Sequence, residues 1–105
     1  MFLVYAPDKT DQGTFQRRLS VRPKHLVRST QMFESGFIKV AGAMLTPESI
    51  ETPSSERKMI GSVLIVEAEN IGAVRKAIEE DIYYTSGVWD PEKLMITPWV
   101  PAHFP

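Results

Sequence analysis

Apolar residues fall along this chain in short continuous runs and, elsewhere, at helical spacing. Phe2 to Ala6 is a short apolar run closed by Pro7-Asp8, a turn signal, and reads as a first strand. Residues 7–14 are loop-like, and Phe15 to Leu19 form either a helical turn or the approach to a longer helix. That helix is expected from about Ser20, a suitable N-cap, to Glu34, with Pro23 in its first turn and Ser35-Gly36 as its stop. Leu26 and Phe33, with Ser29 and Thr30 beside them, share one side of it. Phe37 to Leu45 reads as a second strand, and Lys39 within it marks an edge position. Residues 46–59, rich in Pro, Ser and Glu, are expected to be a long, mobile hairpin connection.

Ile60 to Glu67 is the strongest strand signal, because Val63 to Val66 is a continuous apolar run. Asn70 then caps a second helix on which Ile71, Val74 and Ile78 share a face. Residues 81–90 form an aromatic connection, and Lys93 to Trp99 reads as a fourth strand that Pro98 confines to an edge or a strand end. Residues 100–105 are a proline-rich tail.

The order β-α-β-β-α-β predicts an α+β, ferredoxin-like fold: one domain with a four-stranded antiparallel sheet and two helices on one face. The strands are apolar on both sides. Val4 opposes Leu3 and Tyr5, Leu64 and Val66 oppose Val63 and Ile65, and Ile96 opposes Met95. Two helices cover one face only. The other would leave an apolar patch larger than the roughly 300–600 Å² that monomers tolerate. A second copy packed face to face, giving a homodimer, is the expected cover, and the space between or beside the sheets is a natural small-molecule site.

Composition removes several function classes. The 105 residues carry a formal net charge of −1, which offers no field for nucleic acid or an anionic membrane. RNA-recognition domains share this strand order, but they stack bases on aromatics of a central strand, and Gly61-Ser62-Val63-Leu64-Ile65-Val66 has none. Cysteine is absent, which excludes thiolate catalysis and disulfides and fits a cytoplasmic setting. Two histidines without spaced carboxylates give no metal signature. No glycine loop that would cradle a phosphate appears, so no cofactor is expected.

Particular residues then match a family. The stretch from Arg17 to Leu26, with Arg22, His25 and Leu26 in register, resembles the R-x-x-H-L signature that opens the first helix of YCII-related proteins. Ala41-Gly42 resembles the family's A-G-P, with Ala43 where proline is usual, and Gly61-Ser62 its G-S strand. Asp81-Ile82-Tyr83 followed by Ser86-Gly87-Val88 resembles the D-P-[YF]-x-x-A-G-[LV] element, with Ile82 replacing proline, and Pro98-Trp99 fits the closing P-[WF]. The resemblance implies a dimeric α/β-barrel-type fold. It also implies a site built on the helix histidine and the aspartate after the second helix, engaged in acid–base chemistry. One branch of the family eliminates chloride from a chlorinated muconate-type compound.

The chemistry of the side chains agrees with such a site. Imidazole is the usual proton shuttle at neutral pH, so His25 is the candidate acid or base. A carboxylate partner, Asp81, would fix its tautomer. Asp81 ends the acidic run Glu79-Glu80-Asp81 at a helix C-terminus, where negative charge is unfavourable. Arg22, one turn from His25, is placed to hold an anionic group. Ser62, a hydroxyl in an apolar strand, and Tyr83 are further substrate-binding candidates. Each has a plainer reading: His25 as a satisfied helix residue, Arg22 as a solvated one, Ser62 bonded to backbone, and Tyr83, Tyr84 and Trp89 as core. The expected function is a lyase, isomerase or hydrolase acting on a small anionic metabolite. The competing one is a non-catalytic ligand-binding or dimerisation module. A ring within reach of Asp81 and open to a cavity separates the first from the second.

Overall fold

The computed structural model describes residues 1–104. Strand β1 (Phe2–Pro7) leads to helix α1 (Thr14–Glu34) and strand β2 (Ile38–Leu45). A single 3-10 turn (Pro47–Ile50) precedes β3 (Met59–Val66), followed by α2 (Ile71–Glu79), a short α3 (Ile82–Thr85) and β4 (Met95–Pro98). The sheet order is β2-β3-β1-β4 with every pair antiparallel, which is the expected α+β architecture. Lys39 and Pro98 lie in β2 and β4, the two edge strands, where a charge and a missing N–H do least harm.

Register sorts the side chains onto two faces. Val4 and Ala6 of β1 and Ser62, Leu64 and Val66 of β3 are buried toward the helices. Val74 and Ile78 of α2, with Tyr83, Val88 and Trp89 from the segment beyond, complete that core. The opposite face carries Leu3, Tyr5, Val40, Val63, Ile65 and Met95, with Tyr5 directly opposite Val63 and Met95. Tyr5, Val40 and Met95 are more than 40% exposed, so the helix-free side is apolar and bare within one chain.

Helix α1 departs from expectation in two ways. It starts at Thr14 after Gly13, which adopts φ 92°, so Phe15 to Leu19 are helical and Ser20 is not the cap. The Ser20 hydroxyl instead donates to the Arg17 carbonyl within the helix, the alternative use of a short hydroxyl side chain. Pro23 therefore sits in the helix interior rather than the first turn. The second departure concerns the face. Leu26 and Phe33 are 42% and 60% exposed. The side turned inward is Arg18, Val21, His25, Arg28 and Met32, spaced alternately three and four residues apart and therefore on one face. Three of those five are basic or titratable, so the interface between α1 and the sheet is largely polar.

Other connections follow the sequence more closely. Asn70 caps α2 by accepting from the Ala73 N–H at 2.9 Å. The base of the β2–β3 connection is closed by the Thr46 N–H on the Lys58 carbonyl and the Lys58 N–H on the buried Ser49 hydroxyl. The aromatic connection does more than link. It contains α3, and Trp89 forms a bridge with Asp8 that extends the β1 side of the sheet. Among the described residues, no helix is long and apolar enough to cross a membrane.

Candidate active site between helix α1 and the sheet

The site begins where α2 ends. Glu80 closes α2, and Asp81 takes an extended conformation and becomes the N-cap of α3. Its Oδ1 accepts the Tyr83 N–H at 2.9 Å. The acidic residue expected to suffer at a helix C-terminus thus belongs to the start of the next helix, where a carboxylate is welcome. Ile82 occupies the first position of α3, which accommodates proline and isoleucine alike.

Asp81 is almost fully buried and is paired on both oxygens. Oδ1 lies 2.9 Å from His25 Nδ1, and Oδ2 accepts from Arg28 Nη1 at 3.2 Å. Arg28 Nη2 also donates to the Ala77 carbonyl at 3.0 Å, tying α1 to the last turn of α2. With Asp81 ionised, the His25 contact requires a proton on Nδ1. Nε2 then carries the lone pair in the neutral ring, and among the described residues no protein group binds it. The imidazole stacks on the Tyr83 ring at 3.8 Å with an interplanar angle of 13°, and Trp89 meets it edge-on.

About two turns earlier on α1 than His25, Arg18 makes a second buried cluster. Its Nη1 donates to Asp8 Oδ1 at 2.7 Å and its Nη2 to the Ser62 hydroxyl at 3.0 Å. The guanidinium also lies 4.5 Å from the Tyr83 ring centroid. Trp89 Nε1 donates to the same Ser62 oxygen at 3.2 Å. Burial pushes the Asp8 carboxyl above its usual range, and the Arg18 charge pulls it part of the way back. Burial also raises the Tyr83 phenol, again opposed by Arg18.

These side chains surround a cavity of about 240 Å³ roofed by α1 and floored by β2 and β3. Arg18, Arg22, His25, Ser62 and Tyr83 all border it, with Ala41, Gly42 and Ala43 of the β2 edge and Leu26 and Leu64 as apolar wall. Of the residues singled out in the sequence, four therefore line one space, and Asp81 stands behind His25. Arg22 is the most exposed of them and forms no ion pair among the described residues. Sequence reasoning missed Asp8, Arg18 and Arg28. A basic residue on a helix reads as solvated until the facing carboxylate is known. A larger groove of about 390 Å³ runs along residues 8–15 and 58–60 but contains none of the His25 cluster. No group of three or more His, Cys, Asp or Glu among the described residues is placed to hold a metal.

A family model, the YCII-related domain, matches residues 1–100. The chain belongs to the YCII-related family. It is 32% identical to protein YciI of Escherichia coli over 90 residues, covering 86% of this chain and 88% of that protein. It is 30% identical to fusaric acid biosynthesis protein 2 of Gibberella fujikuroi over 98 residues, covering 93% and 90%. Among solved structures it resembles 5-chloro-2-hydroxyhydroquinone dehydrochlorinase from Burkholderia phenoliruptrix, in complex with 2,5-dihydroxybenzoquinone. That likeness has a TM-score of 0.77 at 27% identity and covers 94% of this chain and 92% of the other. This YCII-related chain thus shares its fold with an enzyme of known reaction.

The buried pair makes a prediction about stability. Arg18→Met leaves Asp8 buried without its cation, which costs about 3–5 kcal/mol at neutral pH in urea unfolding. The raised Asp8 carboxyl holds its proton more firmly in the folded state than in the unfolded chain. Folded stability therefore falls as pH rises from the ordinary value of 3.8 through the raised one. Without Arg18 that window widens upward, so acidification toward it recovers part of the deficit of the variant relative to wild type. A deficit that stays constant with pH contradicts the pairing.

Proposed function

We propose that this YCII-related chain is a cofactor-independent enzyme that moves a proton on a small, anionic metabolite, as a lyase, isomerase or hydrolase. The observation that carries the reading is the 2.9 Å contact between Asp81 and His25 Nδ1, made by a ring that also borders a cavity. In the neutral ring Nε2 is the basic nitrogen. It takes a proton from a substrate C–H or O–H, Asp81 and the Tyr83 face stabilise the imidazolium, and the same nitrogen returns the proton to another atom or to a leaving group. Arg22 holds the anionic group at the cavity mouth, and Ser62 and Tyr83 position the rest. The solved relative is named a dehydrochlorinase, and removal of a proton with loss of a leaving group is chemistry that such a pair can serve.

The functional unit in this reading is a homodimer. The bare face of Tyr5, Val40, Val63, Ile65 and Met95 is what a second copy would cover.

Two experiments test these statements. Thermal-shift and turnover screening of small carboxylates, lactones and 2,5-dihydroxybenzoquinone is expected to find a ligand that stabilises wild type more than His25→Gln. Turnover in that variant should drop by about 10²–10⁴-fold. A ligand that shifts both proteins equally, with no turnover, identifies a binding module instead. Light scattering should give the mass of two chains, and Val63→Glu, which puts a charge opposite Tyr5, should give one. A wild-type protomer that stays single at high concentration removes the dimer.

A further inference from the structure

A serine hydroxyl has one hydrogen to give and two lone pairs to receive. Both lone pairs of Ser62 are taken, by Arg18 Nη2 at 3.0 Å and by Trp89 Nε1 at 3.2 Å. No protein acceptor for its own hydrogen lies within reach among the described residues, and Ser62 borders the cavity. The donors that fill its lone pairs are rigid. Arg18 is locked by Asp8 at 2.7 Å, and Trp89 is fully buried. The Ser62 hydroxyl is therefore a fixed donor that cannot serve as an acceptor.

Tyr83 repeats the situation by another route. Its ring is held by the His25 stack and by the Arg18 guanidinium. Its hydroxyl has no protein partner, yet it is absent from the sealed unpartnered atoms, which are Asp8 Oδ2, Arg17 Nε and Arg18 Nε. Tyr83 borders the same cavity as Ser62. Burial raises its pKa, so the phenol stays protonated and able to donate at neutral pH.

We infer that the Ser62 and Tyr83 hydroxyls form a two-donor cradle for an oxyanion beside His25, so that the cavity takes enols, phenols or carbonyl compounds with an acidic neighbouring C–H. The inference rests on the proposed His25 chemistry and gives it a substrate class. When Nε2 removes a proton from such a compound, the electron pair left behind moves onto the oxygen. The two hydroxyls meet the charge there without giving up their own protons. Arg18, Asp8 and Trp89 are positioning residues that aim Ser62.

The probe is para-nitrophenol, whose absorbance separates phenol from phenolate. Wild type should bind the phenolate in preference, lowering the apparent pKa of the bound dye. Tyr83→Phe and Ser62→Ala should each reduce that preference roughly tenfold, the effect of one hydrogen bond to a charged group. Ser62→Thr, which keeps the hydroxyl, should retain it. If Ser62→Ala does not fold, Tyr83→Phe alone decides. A dye that fails to bind, binds as neutral phenol, or keeps its preference in Tyr83→Phe overturns the cradle. His25-dependent ligands found in the screen alongside such a result leave the acid–base reading standing. A dye preference that obeys both hydroxyls, with no His25-dependent ligand in the screen, keeps the cradle and removes the acid–base reading.

Discussion

Charge pairing across the interface between α1 and the sheet layer is the interaction on which the site depends. A helix that packs on a sheet ordinarily offers an apolar stripe. Here the inward residues of α1 include Arg18, His25 and Arg28, and each is met by an acid or hydroxyl from elsewhere in the chain: Asp8 and Ser62 for the first, Asp81 for the other two. Buried charges of this kind add little net stability compared with well-packed hydrocarbon. What they supply is position. Asp81 cannot shift without losing Arg28, the α3 cap and His25 together, so the carboxylate that holds the imidazole is itself fixed by two further partners before any ligand arrives.

The same constraint explains why a cavity exists here. Long polar side chains between helix and sheet reach their partners and leave space between them, where branched hydrocarbons would interdigitate and close it. The small residues Ala41, Gly42 and Ala43 on the β2 edge keep the floor low, and the bare edge leaves the space open on one side. Trp89 and Tyr83, brought in by the segment after α2, seal the opposite end and lend the indole N–H and the ring face to the cluster. The segment that looked like a connection in the sequence is the back wall of the site.

Much of the fold was legible in the sequence because it depends on local signals. The continuous apolar runs in β1 and β3, the Asn70 cap and the apolar face of α2 each announce themselves over a few residues. The two-sided apolar pattern of Leu3, Tyr5, Val63 and Ile65 is visible in the register as a bare face. What misled was α1. Ser20 and Pro23 carry start signals, but the helix begins earlier: Thr14 is fastened to Asp11 three residues before it, and Arg17 donates to the Gly87 carbonyl 70 residues away, a bond that no local window contains. Leu26 and Phe33 looked like the core face, while long-range pairing turned the basic face inward instead. His25, Asp81, Arg22, Ser62 and Tyr83 were found through motifs. Arg18, Asp8 and Arg28 were not, since each is defined by a partner between 10 and 53 residues away.

The whole site depends on the state of one ring. Nitrogen NMR of the His25 imidazole in the neutral form reads its tautomer directly. The geometry requires the proton on Nδ1, held by Asp81, with Nε2 bare, and requires that state to be lost in Asp81→Asn. A ring that is protonated on Nε2, or that samples both tautomers freely in the wild-type protein, contradicts the pairing from which the rest follows.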